Sequence, residues 1–250
     1  MPLLQKELSI VVCSKSDYRG LNVTLESLNS LVEDLPQIIL ILSDYTKSDI
    51  ERIQTKFTNL RFELIHEAPQ GIYHAQNLGL RRVERRLVLF LNGGDKLESS
   101  SGLQHLVSVL GKNLWGYGEI DLVGDDFKNR KHYRFKYNKY LHRLGLKYVP
   151  HPATVIDAKE AIRLGGFDEK YLSAADHKLL LMFSKLSAPV VTKNQISTFY
   201  RGGMSTRNQR EVVSDCKNIS NELFGFFLKN RFFDWLVWFL LFAIKKLFKR

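Results

Sequence analysis

Residues Phe90 to Asp95 read FLNGGD, and this hexapeptide decides the fold. Leu87, Val88 and Leu89 precede it, so the segment reads as a buried strand that stops abruptly at Asn92-Gly93-Gly94-Asp95. A short apolar run bounded by glycines fits a parallel strand whose carboxyl end opens onto a crevice. In open α/β sheets that crevice is where ligands bind. Two glycines let backbone approach a bulky ligand closely, and Asp95 offers a hard oxygen to a divalent cation. A plain strand-to-helix turn, with Asp95 bonded to nearby backbone, suits the same six residues equally well.

Working outward, Leu8–Cys13 (LSIVVC) and Ile38–Leu42 (IILIL) read as buried strands, and Phe62–Ile65 as a shorter one. Between them, Leu21, Leu25, Leu28 and Leu31 fall on helical spacing, and Gly71 to Val83 has the same character. Strands alternating with helices up to Asp95 predict a parallel sheet covered by helices, an α/β fold. Further on, Ala153–Ile156 predicts a strand, residues 158–164 a helix, and Ser173 the start of an apolar helix running to Leu186.

The chain has 250 residues, 44% of them apolar and 25% charged, which is globular composition with room for one large domain and an appendage. Its net charge of +11 suggests a polyanionic neighbour: nucleic acid, anionic lipid or a phosphorylated substrate. Cys13 and Cys216 are the only cysteines and make no disulfide framework, which points to a reducing compartment. MPLLQKELS lacks a basic stretch followed by an apolar core, so the sequence predicts no signal peptide and a cytoplasmic location.

Two segments break the α/β pattern. Lys128–Arg143 packs seven Lys/Arg among four aromatics, with strand-like alternation from Tyr133 to Tyr137. It reads as a strand with a solvated basic face or as a stacking surface for bases. Trp235–Ile244 is uninterrupted apolar sequence with Lys229 and Arg231 before it and Lys245 and Lys246 after it. Those ten residues are about half of the roughly 20 needed to span a bilayer. A helix lying in an anionic membrane interface fits them, with a core or oligomer helix as the other reading.

Candidate chemistry gathers on the loops. Asp44, after the second strand, would face the same crevice as Asp95 and could accept from a ribose or base edge. Equally, Ser48 or Asp49 could cap a helix from Ile50, leaving that loop merely structural. Asn77 would sit toward the crevice. Asp176 lies in Ser173-Ala174-Ala175-Asp176, either half of a capping box or a carboxylate kept ionised at a helix start and able to act as a general base. His151 is a proton handler or a polar loop residue.

Taken in order, SIVVCSKSDYRGLNVTLESL, the DYTKSD loop, GIYHAQNLG, FLNGGD, GGFDEKYLSAADHKLLL and FYRGGMST resemble family 2 glycosyltransferases of the GT-A fold. The likeness is to bacterial enzymes that build colanic-acid-like exopolysaccharide, capsule or O-antigen units, and it covers residues 8–206. It implies a mostly parallel, Rossmann-like sheet flanked by helices and a nucleotide-sugar donor, a UDP-sugar foremost, at the carboxyl ends of its strands. Ser14 and Asp44 match the nucleoside region. Asp95 matches the last Asp of a DXD-like motif that holds Mn²⁺ or Mg²⁺ against the donor pyrophosphate, here within Gly93-Gly94-Asp95. Asp176 matches the catalytic base, and Gly203 and Ser205, within Gly202–Ser205, a loop near the donor phosphates. Asn77 belongs to the donor-binding set, and His151 or Ser205 would touch acceptor or phosphate. Relatives commonly read E-x-D-x-G-I-Y-D-A-x-N, whereas Pro69 and His74 stand here in place of the two Asp, which bears on donor-sugar selection.

The expectation is therefore a GT-A domain over residues 1–210 and a membrane-associating helical extension over 211–250. Its activity would be inverting, metal-dependent glycosyl transfer to a glycan, plausibly lipid-pyrophosphate-linked, at the inner face of the cytoplasmic membrane in cell-surface polysaccharide synthesis. A nucleotidyltransferase shares the sheet-plus-metal logic but wants a glycine-rich phosphate loop after the first strand, and Cys13-Ser14-Lys15-Ser16 has no glycine until Gly20. A non-catalytic nucleic-acid binder would explain the charge but not the convergence of Asp44, Asp95 and Asp176, so nucleic acid is not an expected partner.

Overall fold

A computed structural model describes residues 2–98, 100–124, 130–134, 136–200 and 209–225. The elements in order are α1 (Leu3–Glu7), β1 (Leu8–Lys15), α2 (Tyr18–Leu28), β2 (Gln37–Ser43), α3 (Lys47–Lys56), β3 (Phe62–Glu67), α4 (Ile72–Leu80), β4 (Leu87–Asn92) and β5 (Lys96–Leu97). Then follow α5 (Ser100–Leu110), β6 (Trp115–Val123), β7 (Arg130–Tyr133), α6 (Lys139–Arg143), β8 (Thr154–Asp157), α7 (Ala158–Arg163), α8 (Ala175–Leu186), β9 (Val190–Tyr200) and α9 (Gln209–Phe224).

One sheet runs in the order β3-β2-β1-β4-β8-β6-β9-β5, with β7 paired to β6. From β3 to β4 every pairing is parallel, with Val11 beside Ile39 on one flank and Phe90 on the other. That half follows directly from three near-continuous apolar runs, which suit strands buried on both faces. The other half is mixed: β8 is antiparallel to both β4 and β6, while β6 and β9 are parallel. The parallel character expected from the sequence thus belongs to the first four strands. Among the rest, the antiparallel β8 enters as a wedge.

Alternation along β1 splits the core in two. Ile10 and Val12 pack with Leu21, Leu25 and Leu28 of α2 and with Leu103 and Leu106 of α5. Val11 and Cys13 face the other way, toward Tyr73 of α4 and Leu180 and Phe183 of α8. Cys13 and Cys216 are buried free thiols, and burial pushes the Cys216 thiol up to about 12.

α9 is part of this body. Ile219 is fully buried, Glu222 pairs with Lys178 of α8, and Asp215 accepts from the Ser173 N–H at 3.2 Å. α9 thus packs on α8 and on the loop before it. The expected apolar helix at Trp235–Ile244 lies outside the described residues, as do Gly203 and Ser205. Among the described residues no helix is long and apolar enough to cross a membrane.

Candidate active site at the carboxyl ends of the strands

The turn after β4 sits on the end of β1. Gly93 donates its N–H to the Cys13 carbonyl at 2.8 Å, and a Cβ on Gly93 would lie 2.6 Å from Ser14 Oγ, so this approach requires glycine. Gly94 has φ +104°, a conformation open to glycine, and donates to Thr24 Oγ1 at 3.0 Å. Ser14 itself is buried, its Oγ 2.7 Å from the Tyr45 hydroxyl, which also accepts from the Asp17 N–H at 3.1 Å.

The rim of β1 and β2 is strained. Among the described residues, Ser16 (φ 48°) and Asp44 (φ 64°) are the non-glycine residues with left-handed backbone, and Ser16 Oγ donates to the Asp44 carbonyl at 3.1 Å. Such strain concentrates where function over-determines the backbone. The Asp44 side chain is exposed there, at the end of β2. The cap on the following helix is Thr46, in a capping box with Asp49, so neither Ser48 nor Asp49 is the cap residue and Asp44 has no part in it. Asp17 caps α2, accepting from the Gly20 N–H at 2.8 Å.

Asp95 is 3% exposed, and its Oδ2 accepts from the Asn92 N–H at 2.7 Å. Burial raises its carboxyl to about 7, against which that hydrogen bond works only partly. No group of three His, Cys, Asp or Glu among the described residues could hold a metal ion. A Mg²⁺-type site nevertheless needs only one or two carboxylates when substrate phosphates and water complete its shell. A buried carboxylate with its charge uncompensated fits that donor set.

Asp176 lies in the first turn of α8, whose N-cap is Ala174 with no side-chain cap. Of the two readings for Asp176, the Ser173–Asp176 capping box does not form, because the helix starts one residue later with Ala174 as N-cap; the Ser173 N–H donates to Asp215. Asp176 Oδ1 accepts from the Tyr73 hydroxyl at 3.1 Å. Burial, then the Asp176 charge, raises the Tyr73 pKa, so the phenol stays a donor. One turn along α4, Gln76 Nε2 donates to Asn92 Oδ1 at 3.3 Å and to His151 Nε2 at 3.2 Å. A single helix face therefore ties the FLNGGD turn to Asp176. His151 stacks on Phe90 with ring centroids 5.8 Å apart, and burial lowers its pKa although the Asp176 charge opposes this. Held by Gln76 and stacked on Phe90, His151 lies beside the FLNGGD turn.

Asn77 does other work. Its Nδ2 donates to the Phe167 carbonyl and to Glu169 Oε1, each at 2.8 Å, and its Oδ1 accepts from the Phe167 N–H at 2.8 Å. With both amide hydrogens committed, it clamps the loop that leads to Asp176 rather than offering donors to a ligand. His74 lies between Glu169, at 3.1 Å, and Glu67, at 3.5 Å.

Sequence reasoning missed Tyr73 and Gln76, although both lie inside the quoted GIYHAQN stretch at i, i+3 spacing. It also missed Glu119 and Asp121, both buried on β6. Since β8 is antiparallel to its neighbours on both sides, β6 runs in the direction of β4. Its residues beyond Gly116 continue past Leu89 toward the crevice end. His132 Nε2 is 2.5 Å from Glu119 and Nδ1 2.7 Å from Asp121. Ionised carboxylates only accept, so both contacts require an imidazolium. Its hydrogen bonds to Asp121 and then to Glu119 raise its pKa accordingly.

No protein-family model matches the chain. Two curated proteins of Mycobacterium tuberculosis, from strains CDC 1551 and H37Rv and both described as uncharacterized glycosyltransferases, are 28% identical over 152 residues. Those alignments cover 59% of this chain and 57% of each relative, so the chain matches little more than half of their length. Among solved structures, the mannosyltransferase PcManGT from Pyrobaculum calidifontis, in complex with GDP-Man and Mn²⁺, superposes with TM-score 0.63 at 14% identity, covering 88% of this chain and 65% of that one. S. aureus TarS residues 1–349 in complex with UDP-GlcNAc gives TM-score 0.60 at 14% identity, covering 94% and 79%. The same TarS segment with UDP gives TM-score 0.59 at 14% identity, covering 86% and 70%. The chain has the GT-A glycosyltransferase fold and resembles curated glycosyltransferases in sequence.

Proposed function

We propose that the protein is a glycosyltransferase that moves a sugar from a nucleotide-diphosphate sugar, a UDP-sugar foremost, to a hydroxyl of a glycan acceptor with inversion. The observation that carries this reading is the α4 face on which Tyr73 touches Asp176 while Gln76 touches Asn92. It joins the carboxylate suited to a base with the turn suited to a pyrophosphate. Asp95, with phosphate oxygens and water, would hold Mn²⁺ or Mg²⁺, and the bound cation would act as a Lewis acid toward the leaving nucleoside diphosphate. Asp176 accepts the proton of the acceptor hydroxyl as that oxygen attacks the anomeric carbon from the side opposite the leaving group. Tyr73 holds one oxygen of Asp176 and leaves the other for the proton. The glycine turn lets the donor lie against backbone, and the rim at Asp44 borders the nucleoside.

The acceptor fits a lipid-pyrophosphate-linked sugar of a bacterial surface polysaccharide. In that case the catalytic body works on the inner face of the cytoplasmic membrane, with the basic-flanked apolar run Trp235–Ile244 as its contact. A nucleotidyltransferase fits less well, because the Asp17 carboxylate already occupies the N-terminus of α2, where a phosphate would otherwise bind. A thermal-shift screen of UDP-, GDP- and dTDP-sugars with and without Mn²⁺, followed by release of the nucleoside diphosphate on glycan acceptors, tests the proposal. A bound donor should raise the melting temperature. Failure of every nucleotide sugar to shift it would refute the reading.

A further inference from the structure

We propose that the outer face of residues 131–148 docks on an anionic lipid surface and holds the Asp176 end of the crevice against it. No Asp or Glu occurs between Asp126 and Asp157, while eight Lys or Arg fall in that interval. Lys131, Lys136, Lys139 and Lys147 are all exposed and have no carboxylate partner among the described residues. Among these charges stands one strongly exposed aromatic, Tyr140 at 59%, with the Lys139 ammonium 5.1 Å from its ring centroid. Lysines beside an exposed tyrosine suit a headgroup region, where ammonium groups meet phosphates and an amphipathic ring sits at the boundary.

The inner side of the same arm fixes where it points. Tyr137 packs edge-on to Trp115 with centroids 5.6 Å apart, and the buried His142 lies edge-to-face with His177 at 4.8 Å. His177 is the residue after Asp176, so the basic face is the outside of the wall that carries the base. α9 ends on this arm as well: the Arg143 guanidinium lies 3.8 Å from the Phe224 ring centroid, and Tyr148 receives the Cys216 thiol at 3.7 Å. The chain therefore leaves Gly225 beside this face, and the residues that follow include the apolar run flanked by lysine and arginine. The described chain thus ends on this face, and the sequence beyond it carries the same combination of aromatic and basic residues. A nucleic acid would use the charges too, but it gives no reason for that continuity.

Flotation of the full chain with vesicles tests this without donor or acceptor, so the outcome is independent of the transferase reading. Vesicles of phosphatidylcholine alone are compared with vesicles that also contain phosphatidylglycerol, at low and high salt. The wild-type chain should bind the anionic vesicles and lose binding as salt rises. The combined variant Lys136→Gln, Lys139→Gln, Lys147→Gln removes three exposed charges and should partition about 100-fold less. Tyr140→Ser should weaken binding by a smaller factor that salt does not change. An unchanged melting temperature confirms that the variants are folded. Equal flotation of the triple variant and the wild type overturns the proposal, and so does binding to single-stranded RNA with none to anionic vesicles.

Discussion

The two halves of the sheet are built differently. From β3 to β4 each strand is joined to the next in sequence by a helix or a short connection, and all pairings are parallel. In the other half, β4 meets β8 and β6 meets β9 across long stretches of chain, and α8 is braced by α9. The first half offers a rigid cradle with glycine and strained backbone at its rim. The second brings in Asp176 and His151, the groups that the proposed reaction would use. Geometry in the cradle is local, whereas geometry at Asp176 is assembled from afar, so damage to the two halves should read out in different observables.

The largest effect is expected at the assembled half. Asp176→Asn should lower turnover by roughly 10²–10⁴-fold, the usual share of a general base, while donor affinity stays unchanged. Near-normal turnover on a true acceptor would place the base elsewhere. In the cradle, Asp95→Asn should weaken Mn²⁺-dependent nucleotide binding by at least roughly 10-fold, the lower end of what even the loss of a ligand's hydrogen-bond partner costs at metal sites. Calorimetry at neutral pH measures this.

The same substitution carries an opposite sign for the metal-free fold. The Asp95 carboxyl is raised to about 7, so wild-type stability falls as pH rises from the ordinary carboxylate range through 7. Asp95→Asn should therefore melt higher than wild type at pH 8 and equal to it near pH 4. A variant that loses both metal binding and stability would show that Asp95 is structural.

Tyr73→Phe sharpens the link between the halves. Losing the hydrogen bond to Asp176 should cost turnover about 10-fold and leave donor affinity unchanged, which steady-state kinetics and nucleotide calorimetry separate. Unchanged turnover in the folded variant would mean that Tyr73 only packs. The smallest effect belongs to His132. Its folded-state pKa is raised, so its contribution is full below the unfolded value of about 6.5 and is lost as pH rises through the folded one. His132→Gln should lower the melting temperature by about 2 °C at pH 6 and leave it unchanged at pH 9, a gap that differential scanning calorimetry would show.

Legibility followed the same division. LSIVVC, IILIL and LVLFL are buried on both faces, and that burial is written in unbroken apolar runs. β6 escaped notice because WGYGEIDLV mixes buried aromatics with buried acids, and only tertiary partners make Glu119 and Asp121 tolerable there. Motif order singles out Asp176 as the candidate base. Its partner Tyr73 lies 103 residues away, a distance no local pattern reports. Asn77 was read as facing a ligand because helix periodicity gives a direction, not an occupant, and the occupant is the Phe167 backbone.

The wedge formed by β8 has a consequence for how the protein is made. β4 ends at Asn92, and β8, which covers its free edge, begins only at Thr154. At roughly 5–20 residues per second on the ribosome, the cradle stands alone with an uncovered strand edge for on the order of 3–12 s. The β6 and β9 pairing waits longer still, until Tyr200 has emerged. An unpaired apolar strand edge is a template for other chains, so the nascent protein should depend on chaperone cover during that interval.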